Sequence, residues 1–137
     1  MDSPNCFGTL LLIEDNPGDV RLIREMLKEG PLDPTVHAVS AGSEAIDFLR
    51  RTGDYDDAPR PDLILLDLHL PRMDGEDVLE EVTEEIAEIP VVVLSGSLQG
   101  ADRKLEEIGD QIDACLEKPL DSDDFVELSR SLQDSSH

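Results

Sequence analysis

The chain has 137 residues, enough for one domain around a single buried core and too few for two. Its 33 Asp and Glu against 11 Lys and Arg give a formal charge of −22, which argues against nucleic-acid or anionic-membrane binding. With 39% hydrophobic residues in regular patterns it should fold, and so acidic a surface suits a high-salt cytoplasm, so a halophilic source is expected.

Cys6 and Cys115 are isolated thiols, without the spacing of a disulfide framework or a zinc site. Met1-Asp2-Ser3-Pro4-Asn5 lacks the basic start of a secretion signal. No apolar run approaches the roughly 18 residues of a membrane span. A soluble, cytoplasmic protein without a membrane partner is expected.

In chain order, Thr9 to Ile13 is an apolar run that ends in acid, Glu14-Asp15. Asn16 can cap a helix and Pro17 suits its first turn. Val20, Ile23 and Leu27 then give one apolar face, predicting a helix from about Pro17 to Glu29. After the breakers Gly30, Pro31 and Pro34, Thr35 to Val39 reads as a short strand. Ser40 to Arg51 reads as a helix burying Ala45, Ile46 and Leu49. A loop from Thr52 to Pro61 leads into Leu63-Ile64-Leu65-Leu66, an unbroken apolar run ending in Asp67, with Pro71, Asp74 and Gly75 turning the chain beyond it. Such a run reads as a strand buried on both faces.

Val78, Val82 and Ile86 share a helical face, and Pro90 stops that helix. Val91 to Leu94 is a fourth strand ending in Ser95-Gly96-Ser97. Leu98, Ala101, Leu105 and Ile108 mark a fourth helix, closed by Gly109. Ile112 to Glu117 is a less apolar fifth strand, suited to a sheet edge, and it ends in Lys118-Pro119. Asp121 can cap a last helix whose apolar face is Phe125, Leu128 and Leu132. Five alternations of strand and helix predict an α/β fold, a doubly wound parallel five-stranded sheet with helices on both faces. One domain spans 1–137, with its core at about 8–133 and a polar tail at 134–137.

Four of the five strands thus end in a chemically distinctive residue: Glu14-Asp15, Asp67, Ser95 and Lys118. A parallel sheet brings these ends to one edge, where open α/β sheets bind ligands. Three clustered carboxylates repel unless a cation joins them, and hard oxygen donors in a partly open cluster suit Mg²⁺. Lys118 adds a point charge and Ser95 a hydroxyl. A carboxylate nucleophile, a divalent cation, an ammonium and a hydroxyl together describe a phosphoryl-transfer site. Taken singly, each has a plainer reading: acids favoured by a helix dipole, a turn serine, a surface lysine. Their joint placement on strand ends favours the site.

On Glu14-Asp15-Asn16, Asp67 with Pro71 and Met73-Asp74-Gly75, Ser95, and Lys118-Pro119, the chain resembles the receiver (phosphoacceptor) domain of two-component response regulators. The resemblance runs from about Gly8 to Leu132, and Asn16-Pro17-Gly18-Asp19 looks most like the stand-alone type. It implies a flavodoxin-like (βα)5 fold with strand order 2-1-3-4-5, the order for which a chemotaxis receiver is a reference case. It implies that Asp67 takes a phosphoryl group from a sensor histidine kinase or phosphotransfer protein. Asp15 and Asp67 would hold Mg²⁺, with Glu14 acting through water and the backbone carbonyl of His69 as a further ligand. Ser95 and Lys118 would contact the phosphoryl group, while Ser97 and His69 would modulate its lifetime. A downstream protein would read the result.

The chain departs from the family at Cys115, where many receivers carry a Tyr or Phe three residues before the lysine. The response is therefore expected in the Ser95–Leu98 loop and the fourth helix, with Cys115 a packing residue. Three other readings compete. A degenerate receiver would act unphosphorylated as an adaptor. A haloacid dehalogenase-type phosphatase would need a second Asp where His69 stands. A flavin binder would need more rings than three Phe, one Tyr and no Trp provide.

Overall fold

The computed structural model describes residues 8–29, 35–67, 78, 80–82, 84–86, 89–95, 114–117, 123 and 125–128. Five strands form one sheet: β1 (Thr9–Ile13), β2 (Thr35–Val39), β3 (Leu63–Asp67), β4 (Val91–Ser95) and β5 (Ala114–Glu117). Every pairing is parallel and the order is β2-β1-β3-β4-β5, as the resemblance implied. The less apolar β5 lies at an edge, and β2 forms the other.

Successive residues of a strand face opposite sides, and both sides here are dry. Leu11, Ile13, Ile64, Leu66, Val91 and Val93 pack on one face with Ala45, Phe48, Val78, Val82 and Ile86. Leu10, Leu12, Leu63, Leu65, Val92 and Leu94 pack on the other with Ile23, Leu27 and Phe125. Burial on both faces is why the strands read as continuous apolar runs rather than alternations. In β3 all five residues are buried, Asp67 included.

Helix α1 (Pro17–Glu29) spans the predicted range and buries Ile23 and Leu27. Helix α2 (Gly42–Arg50) begins later than the predicted Ser40, because Ala41 is extended at φ −143°, ψ 153°. Its buried side chains are Ala45 and Phe48, whereas Ile46 and Leu49 are half-buried, which corrects the expected face. The cause is a row of rings. Phe48 lies 5.4 Å from His37 and 5.6 Å from Tyr55 between ring centroids, so its turn of the helix is drawn inward.

Arg51 ends α2 in the left-handed region, at φ 59°, ψ 49°. There its N–H donates to the Phe48 carbonyl and the Thr52 N–H to that of Asp47, at 3.3 and 3.0 Å. This is a Schellman-type closure with arginine where glycine is usual. Within the Thr52 to Pro61 loop lies a 3₁₀ turn, Gly53–Tyr55.

Val78, Val82 and Ile86 are all buried, and N–H to carbonyl bonds link Val82 to Val78 and Ile86 to Val82, as their spacing predicted. Of the last helix's predicted face, Phe125 is buried and Leu128 half-buried. The expected fourth helix, Ile112, Asp121 and Leu132 lie outside the described residues, as do Pro71 and Met73-Asp74-Gly75.

Candidate functional site

The sheet register builds the acidic site. Ile13 pairs with Leu66, so the next residue on each strand is an acid, Glu14 beside Asp67. The Glu14 N–H donates to the Val39 carbonyl at 3.0 Å, which ties its backbone to β2. Its carboxylate is turned inward, at 1% exposure, and accepts a hydrogen bond from the Asn16 N–H at 3.2 Å. Asp67 is 5% exposed, while Asp15 faces solvent. One carboxylate oxygen from each of Glu14, Asp15 and Asp67 can be chosen so that all three lie within 4.8 Å of one another.

Fully ionised, such a trio is costly. At an effective dielectric of about 20, two charges at that separation repel by roughly 3 kcal/mol. A divalent cation reverses the sign of the local energy. Three hard oxygen donors, two buried and one open to water, fit an ion that keeps part of its hydration shell, as Mg²⁺ does.

Of the other predicted residues, Ser95 closes β4, opposite Glu117 of β5. Its backbone thus stands at the same carboxyl edge, one position beyond Leu94, which pairs with Asp67. Lys118 follows the last residue of β5 in sequence, and both it and His69 lie outside the described residues. Cys115 pairs with Val93 and packs, half-buried, against the face that carries α2. Burial pushes its thiol pKa up.

Sequence reasoning saw Asn16 as a cap but missed its link to the acids. Its Oδ1 accepts from the Gly18 N–H at 2.8 Å and the Asp19 N–H at 3.3 Å, while its own N–H holds Glu14. The signal was available: an Asn directly after the acids and directly before Pro17 must both leave the strand and start the helix.

Residues 10–130 match the response regulator receiver domain family. The response regulator Rcp1 of Synechocystis sp. is 43% identical over 98 residues, covering 70% of this chain and 67% of Rcp1. The Mn²⁺-bound form of a response regulator Rcp1 superposes with a TM-score of 0.73 at 34% identity, over 92% of this chain and 91% of that one. The phosphorylated cyanobacterial phytochrome response regulator RcpA gives 0.74 at 36% identity, covering 93% and 91%. The receiver domain of the sensor histidine kinase PA1611 of Pseudomonas aeruginosa, solved with magnesium in its active-site cleft, gives 0.72 at 31% identity, covering 93% and 95%. The chain belongs to the response regulator receiver domain family.

Proposed function

We propose that Asp67 is the phosphoacceptor of a two-component signalling protein and that Mg²⁺ is the cation held directly by Asp15 and Asp67 and through water by Glu14, with the His69 carbonyl completing the protein's share. The observation that carries this reading is the three carboxylates gathered at the carboxyl edge of the sheet. The ion's role is to neutralise charge on the phosphoryl oxygens as the carboxylate approaches. An Asp67 oxygen attacks phosphorus while the bond from phosphorus to the donor's histidine nitrogen breaks, and that nitrogen keeps the electron pair. The product is an aspartyl phosphate, with roughly −1.5 to −2 charges and three strong acceptor oxygens. Ser95 and Lys118 contact it and carry the change into the loop after β4. The same site later loses the phosphoryl group to water.

The receiver unit comprises residues 8–133 and acts in a cytoplasm of high salt. It takes its phosphoryl group from a sensor histidine kinase or phosphotransfer protein and signals by protein contact. Incubation with acetyl phosphate and Mg²⁺, followed by intact-mass measurement, tests the core of this. The native chain gains one phosphoryl mass and Asp67→Ala gains none. Lys118→Ala still binds the cation but does not switch. A native chain that stays unlabelled under these conditions contradicts the reading and favours an unphosphorylated adaptor.

A further inference from the structure

We propose that Asn16 is a positioning residue for the metal site, acting on Glu14 through the turn that its side chain closes; this rests on the receiver reading above. The Asn16 amide oxygen satisfies two of the N–H groups that the start of α1 would leave without partners, those of Gly18 and Asp19. Its carbonyl accepts from Val20 at 3.0 Å, so both polar ends of the residue are locked to the helix. Its backbone N–H points back and donates to the buried Glu14 carboxylate. One residue therefore connects the helix start to an acid whose backbone is tied to β2.

The fit is close. A Cβ on Gly18 would stand 3.1 Å from the Asn16 oxygen, so the residue at this position is one that lets the cap approach its donors. Removing the amide has two consequences. The turn loses its fixed geometry, and with it the direction of the N–H that holds Glu14. The freed N–H groups at a helix start, where the dipole attracts anions, then compete for the neighbouring carboxylates. Both effects draw acid oxygens away from a shared ion. Partners that orient metal ligands in this way typically change affinity by about 10- to 100-fold when lost.

The test is calorimetric titration of Mg²⁺ and Mn²⁺ into the full chain, native, Asn16→Ala and Asn16→Ser. It is run where urea curves in EDTA show every variant folded. Asn16→Ala is expected to bind about tenfold more weakly. Asn16→Ser, which keeps a capping oxygen, is expected to recover to within about threefold of native. Unfolding in EDTA measures the helix cap by itself. If Asn16→Ala loses stability there yet binds both ions like the native chain, the residue only caps α1 and the inference is wrong. A serine variant as weak as the alanine one overturns it as well, since the effect then does not run through the cap. A native chain that binds neither ion defeats the receiver reading first, and this inference with it.

Discussion

Arg51 holds a backbone conformation that costs an L-residue about 1 kcal/mol and costs glycine almost nothing. Its side chain is exposed and has no ion pair among the described residues. Arg51→Gly should therefore stabilise the fold by about 0.5–1 kcal/mol, read as a higher urea midpoint at unchanged slope. Cys115 makes a prediction of opposite interest. Its thiol pKa is raised by burial, so at a given pH less thiolate is present than on a free cysteine. Alkylation at pH 8 should be slower in the folded chain than in urea, measured in a Cys6→Ser background. The same shift favours the folded state below the ordinary thiol range, and that margin is lost as pH rises through the folded value. At this scale the acids were legible because each sits within two residues of the end of an apolar run. Phe48 was not, since the helical spacing admits Ile46 and Leu49 equally and only the rings of His37 and Tyr55 decide between them.

Strand β3 is the element on which the site depends, because it is buried throughout and carries Asp67 at its end. Leu65→Ala should cost about 2–5 kcal/mol and leave a cavity next to Leu12 and Val92, whereas substituting the exposed Leu22 of α1 should cost little. The far end of β3 is pinned to β1 by two bonds, Asp62 N–H to the Thr9 carbonyl at 2.8 Å and Thr9 N–H to the Asp62 carboxylate at 3.0 Å. On the other face, Arg50 of α2 reaches Glu85 at 2.9 Å and the Glu81 carbonyl at 2.7 Å. These exposed contacts are screened by salt, so any loss of melting temperature in Arg50→Ala should shrink as KCl rises from 0.1 to about 1 M. Strand positions and order were legible from apolar runs and from the family pattern. The later start of α2, the 3₁₀ turn and the Arg50 ties were not, because exposed long-range polar contacts leave no periodic mark on a sequence.

The whole molecule carries a charge of −22, and its stability must follow the screening of that charge. Between 0.1 and 1 M salt the screening length falls from about 10 to about 3 Å, so the melting temperature should climb with KCl well beyond what an equally concentrated neutral osmolyte gives. Divalent cation should act separately and at much lower concentration. At a hundred times its dissociation constant, an ion bound only by the folded chain adds about 2.7 kcal/mol. EDTA should remove that gain, and Asp67→Ala should blunt it. Pairing Ile13 with Leu66 has a final consequence, because it sets two buried carboxyl groups side by side across a single seam of the sheet. Ionised and without a cation these groups would repel across the seam, and on the proposed reading a bound ion would fasten it like a clasp. Amide exchange at Leu12 to Glu14 should then slow on adding Mg²⁺, and if the proposed function holds, this seam breathes least in the metal-loaded state that accepts the phosphoryl group.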